Sequence, residues 1–104
     1  AIKKKHRDEQ YYQHVFYLIF SIMGQFVETE VKSSEGRADA VVKTANNIYI
    51  FEFKMDKNAS AKDALKQINK KGYAIPYNSD PRKVVKIGVE FSQKKHGIKR
   101  WLTE

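Results

Sequence analysis

Three charged residues stand where an apolar β-run would not be expected to hold them. Arg37-Ala38-Asp39-Ala40-Val41-Val42 carries an acid among small and branched side chains. After a short turn, Ile48-Tyr49-Ile50-Phe51-Glu52-Phe53-Lys54 carries an acid and a lysine two residues apart. Charges in such surroundings are costly unless they are paired or bind an ion. Two carboxylates with a neighbouring lysine are the composition of a magnesium-dependent phosphodiesterase site. The acids would hold a hard divalent cation. The cation would lower the pKa of bound water and polarise a phosphate. Lys54 would orient or help deprotonate that water, or stabilise charge on the phosphorane.

These residues must be placed by the strands that carry them. If Asn46 and Asn47 form a two-residue hairpin turn, Thr44 faces Tyr49 and Val42 faces Phe51. Continuing that register, Val41 faces Glu52 and Asp39 faces Lys54. Side chains alternate, so Asp39, Val41, Glu52 and Lys54 share one face. Asp39 and Lys54 are then direct neighbours, and Asp39 and Glu52 diagonal ones about 7–8 Å apart. Ala40, Val42, Phe51 and Phe53 form the opposite face, which reads as core. Glu-x-Lys alone is weak, since Glu30-Val31-Lys32 repeats it. The competing reading of Asp39 and Lys54 is a cross-strand ion pair on a solvated face.

The surrounding pattern supplies the remaining elements. A first helix is expected over 8–24, where Tyr12, Phe16, Ile19 and Met23 recur at helical spacing and Gly24 is a natural stop. Strands are expected over 26–32, 38–44 and 48–55. Val27, Thr29 and Val31 share one face of the first of these. A second helix is expected over 60–71, with Ser60 and Asp63 as a capping box and Ala61, Ala64, Leu65 and Ile68 as its buried stripe. Gly72 ends it, and Pro76 and Pro81 bracket a loop. Strands over 84–91 and 98–102 follow, the last turned by Gly97. The order is helix, three strands, helix, one or two strands, which makes an α/β domain.

At 104 residues, 41% hydrophobic and 31% charged, the chain is expected to be one folded domain. It has no cysteine, which excludes disulfides and cysteine-zinc sites and fits a reducing, cytoplasmic setting. The apolar run over 15–23 is too short to cross a bilayer. The chain begins with alanine, which fits a piece of a longer protein. The net charge of +8 attracts polyanions. Lysine clusters lie at Lys3-Lys4-Lys5 with Arg7, at Lys62, Lys66, Lys70 and Lys71, and at Lys94, Lys95, Lys99 and Arg100. Any one of them could be a solvated surface; together they favour nucleic acid.

Asp39 followed by Glu52-Phe53-Lys54, in this order of elements, resembles the PD-(D/E)XK nuclease superfamily. Gly36-Arg37-Ala38-Asp39, Tyr49-Ile50-Phe51-Glu52-Phe53-Lys54 and Ala64-Leu65-Lys66-Gln67-Ile68 resemble one bacterial branch of it, with Ala38 where the superfamily name has proline. The resemblance implies a restriction-endonuclease-like αβββαβ core with a mixed sheet flanked by two helices. It implies Mg²⁺- or Mn²⁺-dependent cleavage of nucleic acid, DNA being the expected substrate. In that branch the module usually closes a longer protein, behind an AAA-ATPase-like domain. It gives meaning to Glu9, which could reach the metal as a third carboxylate or could serve as a first-turn acid facing the helix dipole. Gln67, with Tyr73, resembles the glutamine-tyrosine helix motif of RecB-like nucleases. Either could touch phosphate or the attacking water, though a surface glutamine is equally ordinary.

His6, His14 and His96 have no partners at metal-ligand spacing, and no nucleophile-base motif is visible. Trp101 reads as a packing residue rather than a base-stacking platform. A catalytically silent binding module, or an accessory domain for protein contacts in an ATPase-containing chain, are the alternatives to a nuclease.

Overall fold

The computed structural model describes residues 26–33, 36–95 and 97–104; the helix expected over 8–24 lies outside them. The elements are β1 (Phe26–Ser33), β2 (Gly36–Lys43), β3 (Asn47–Met55), α1 (Ala61–Lys70), a 3₁₀ turn (Ile75–Tyr77), β4 (Lys83–Ser92) and β5 (Gly97–Thr103). They form one five-stranded sheet in the order β1-β2-β3-β4-β5. Only β3 and β4 run parallel; the other neighbours are antiparallel. A parallel pair needs a crossover, and α1 supplies it. This mixed sheet and crossover helix agree with a restriction-endonuclease-like α/β fold.

Strand β3 is central and is buried on both faces. Ile48 and Ile50 pack with Val41, Ile68, Tyr73 and Tyr77 on the side covered by α1. Phe51, Phe53 and Met55 pack with Ala40, Val42, Val89 and Phe91 on the other side, as expected for the core face. Near-continuous apolar sequence is what a strand buried on both faces requires. Glu52 and Lys54 are the exceptions within it.

The β2–β3 register differs from the expected one by two residues. Ala40 pairs with Phe51 and Val42 with Tyr49, so Ala45-Asn46 is the two-residue turn rather than Asn46-Asn47. Thr44 sets this. Its N–H donates to the Asn47 carbonyl at 2.9 Å, and its hydroxyl accepts from the Asn47 N–H at 3.1 Å. Arg82 donates to the Thr44 carbonyl, and the Lys83 N–H donates to the Asn46 carbonyl, tying the turn to the start of β4. A shift of two keeps every side chain on its face, whereas a shift of one would have reversed them all. Asp39 therefore still shares a face with Glu52 and Lys54, but it stands opposite Glu52 instead of Lys54.

Helix α1 begins as the sequence predicts. The Ser60 hydroxyl accepts from the Asp63 N–H, and the Asp63 carboxylate accepts from the Ser60 N–H. Ala61, Ala64 and Ile68 are its buried stripe. At the other end Gly72 takes a φ of 66°. The Tyr73 N–H donates back to the Ile68 carbonyl and the Gly72 N–H to the Asn69 carbonyl. This is the Schellman arrangement that only glycine enters without strain. It folds Tyr73 back against the helix it follows. At Gly88 a Cβ would sit 3.0 Å from the Ala64 Cβ and 3.1 Å from the Leu65 nitrogen. Glycine there lets α1 lie directly on β4.

Candidate active site

The sheet face under α1 carries Glu52 and Lys54 on β3, with Asp39 entering from β2. Regular pairing of β2 with β3 reaches Ala40 and Phe51. Beyond that point the Asp39 carboxylate accepts the Phe53 N–H at 2.8 Å. A side chain thus satisfies a donor that a strand carbonyl would otherwise take. This holds Asp39 beside Glu52 and leaves the carboxylate only partly buried.

Glu52 is 4% exposed. Its Oε2 lies 3.7 Å from the Lys54 ammonium. Its Oε1 is buried with no hydrogen-bond partner among the described residues. Burial first, and the Asp39 charge second, push the Glu52 carboxyl up to about 8, while the Lys54 charge opposes them. A buried carboxylate with an orphaned oxygen, held beside a second carboxylate, is in an unfavourable state as it stands. It is also a donor set that a hard divalent cation would relieve. Magnesium is commonly held by one or two carboxylates with water and phosphate completing its shell. Among the described residues no larger cluster of acids, histidines or cysteines is assembled.

Lys54 is positioned from its other side. Its ammonium donates to the Gln67 Oε1 at 2.5 Å. The Gln67 Nε2 donates to the Tyr73 hydroxyl at 3.2 Å. The sequence separation between Gln67 and Tyr73 is closed by the Gly72 turn. The result is a line of contacts from Tyr73 through Gln67 and Lys54 to Glu52.

Asp39, Glu52, Lys54, Gln67 and Tyr73 are therefore brought together. Glu9 lies outside the described residues, as do His6, His14 and His96. Asp39 and Lys54, read alternatively as a cross-strand ion pair on a solvated face, are both partly buried, and Asp39 stands opposite Glu52 while the Lys54 ammonium lies 3.7 Å from Glu52. Trp101, expected to pack, is 64% exposed; it sits on the edge strand β5.

One acid is not singled out by the sequence reading. Glu90 on β4 is 4% exposed and pairs in register with Lys54. Its Oε1 accepts from the Ala61 N–H at 3.0 Å, anchoring the start of α1. Lys99 and Arg100 flank it at 3.6 and 3.8 Å. The signal is present in the chain, because Ile87-Gly88-Val89-Glu90-Phe91 also embeds an acid in an apolar run.

Residues 7–101 match the sequence profile of the PD-(D/E)XK nuclease superfamily. The chain belongs to that superfamily. It is also 37% identical over 98 residues to an "Uncharacterized protein in vnfD 5'region" of Azotobacter chroococcum mcd 1. The match covers 94% of this chain and 19% of that protein, so the chain spans about a fifth of its relative's length. No solved structure matches. Superfamily membership makes this a nuclease-type domain, of a group that generally uses divalent metal and acts on nucleic acid. Among the described residues no helix is long and apolar enough to cross a membrane.

Proposed function

We propose that this domain is a metal-dependent nuclease that hydrolyses phosphodiester bonds of DNA. The observation that carries the reading is the buried Oε1 of Glu52 beside Asp39, which has no hydrogen-bond partner among the described residues. In a purely structural domain that oxygen would be an uncompensated cost.

Asp39 and Glu52 would hold Mg²⁺ or Mn²⁺, with Glu9 as a further candidate ligand. The bound ion supplies an activated water and neutralises phosphate charge. Asp39 is fixed by the Phe53 N–H, so its carboxylate is aimed before any substrate arrives. Lys54 gives one hydrogen bond to Gln67 and, as an ammonium with three donors, retains others for a phosphate oxygen or for the attacking water. Gln67, itself oriented by Tyr73, keeps the Lys54 ammonium from collapsing wholly onto Glu52. No other described residue set offers a nucleophile, so water is the attacking group.

The relative's greater length leaves room for the ATPase-like domain that the resemblance places ahead of this module. Acting on DNA, the domain would work in the bacterial cytoplasm. The test is cleavage of plasmid, linear DNA and RNA with Mg²⁺ or Mn²⁺, with and without EDTA. Cleavage should disappear in EDTA and in Asp39→Ala, Glu52→Ala and Lys54→Ala. Activity that survives EDTA or the Glu52 substitution would refute this chemistry. Metal-bound but inert protein, also in the longest available chain with nucleotide, would make it a silent binding module.

A further inference from the structure

Strand β5 is the edge of the sheet, and its side chains are unusually exposed for their type. Among the described residues four large apolar side chains are exposed, and three are on β5: Ile98 at 54%, Trp101 at 64% and Leu102 at 40%. Lys99 and Arg100 stand between them. Phe91 pairs with Ile98 and Val89 with Trp101, so both exposed residues lie on the face away from α1. The register shifts between Glu90 and Phe91, which leaves Lys99 as the extra residue of a bulge. Its ammonium reaches Asp56 and Glu90, both at 3.6 Å. A cleft of about 390 Å³ opens at this end of the hairpin, lined by Asp56, Ser92, Lys94, Lys95, Ile98 and Lys99. Asp56 is already engaged, accepting the Gln93 N–H and pairing with Lys99. Lys94 and Lys95 have no ion-pair partner among the described residues.

We propose that the β4–β5 hairpin binds single-stranded nucleic acid, with a backbone phosphate in the lysine cleft and an unpaired base stacked on Trp101. The polymer class rests on the nuclease reading above; the strand form and the surface rest on β5 itself. An exposed indole suits a free base face, because every base has one and a duplex hides it. Lys94 and Lys95, which have no ion-pair partner among the described residues, suit a phosphate next to that base. Lys54, Glu90 and Arg100 are consecutive partners across β3, β4 and β5, so β5 runs roughly 10 Å from Lys54 at normal strand spacing. Trp101 lies on the opposite face of the sheet from the acids, so a strand stacked on it reaches them only by passing round the β5 edge.

Trp101 is the sole tryptophan of the chain, so its fluorescence reports on this surface alone. The 104-residue chain is titrated in EDTA with a short mixed-sequence single-stranded DNA and, separately, with its duplex. The single strand should quench Trp101 and the duplex should quench it far less. By anisotropy of the labelled strand, Trp101→Ala should weaken binding roughly 5- to 150-fold, and Trp101→Phe should restore most of it. Lys94→Gln with Lys95→Gln should flatten the log K against log salt slope by about 0.7 for each phosphate that is no longer neutralised. Absence of quenching, or Trp101→Ala binding as tightly as wild type, overturns the inference. So does a fluorescence change that follows protein concentration without DNA. Cleavage without quenching would leave the nuclease reading standing and remove this one; quenching with tight binding but no cleavage would do the reverse.

Discussion

The carboxylate of Asp39 accepts the backbone N–H of Phe53 at 2.8 Å, one residue beyond Glu52 on the facing strand. The same side chain thus joins two strands and supplies charge to the site. These roles separate under substitution. Asp39→Asn can still accept from Phe53, so most of the stability should remain while metal binding and cleavage disappear. Asp39→Ala removes both and should cost about 1.5–3 kcal/mol, the usual range for a hydrogen bond to a charged group. Urea unfolding alongside a cleavage assay distinguishes them. Equal stability of the two variants would show that the Phe53 hydrogen bond carries no weight.

The Glu52 carboxyl makes the metal-free protein sensitive to pH. Its folded value is about 8 against 4.5 for an ordinary glutamate. Between those values the folded state holds a proton that the unfolded state has released. Stability should therefore fall as pH rises from about 5 to 8, by at most about 1.4 kcal/mol per unit, and flatten above. Thermal melts in EDTA across that range should show the decline, and Glu52→Gln should abolish it. In Asp39→Asn the Glu52 value should move down, since the Asp39 charge helps to raise it. Divalent metal affinity should rise with pH over the same window, because binding displaces the proton.

Helix α1 brings Gln67 to Lys54 only because it lies close on β4. Gly88→Ala would press a methyl against the Ala61 carbonyl and Ala64. The expected cost is about 1–3 kcal/mol, from overpacking. Cleavage should fall by more than the unfolded fraction explains, because displacing α1 moves Gln67. An unchanged melting temperature would show that the helix yields freely.

Gln67 acts on Lys54 and not on the acids. Gln67→Ala should lower the cleavage rate roughly 10- to 100-fold, the usual effect of removing a residue that orients a site group. Substrate affinity should change little. Tyr73→Phe should produce a milder decrease in the same direction. Single-turnover kinetics with separate binding measurements check both. A drop in affinity with an unchanged rate would make Gln67 a substrate-binding residue instead.

Much of the fold is readable from particular residues. The strands over 40–42 and 48–53, the cap of Ser60 with Asp63 and the stop at Gly72 follow from local chemistry. The shared face of Glu52 and Lys54 follows from alternation alone. The turn differs from expectation because asparagine pairs advertise turns, whereas the Thr44 hydroxyl and Arg82 bond the chain one residue earlier; Arg82 is far away in sequence. The meeting of Gln67 with Tyr73 needs a three-dimensional turn that spacing does not display. Exposure of Trp101 is illegible because an edge strand and an inner strand can share one composition. Glu90 is legible by the criterion that finds Glu52, and only its tertiary partner at Ala61 is hidden.

The most direct test is where a divalent ion settles. Crystals of the 104-residue chain soaked in Mn²⁺ should show an anomalous peak between Asp39 and Glu52, in contact with the Glu52 Oε1 that has no hydrogen-bond partner among the described residues, and Glu52→Gln crystals should lack it. A peak elsewhere, or none at saturating Mn²⁺ with Glu52 and Lys54 unmoved, would contradict the account.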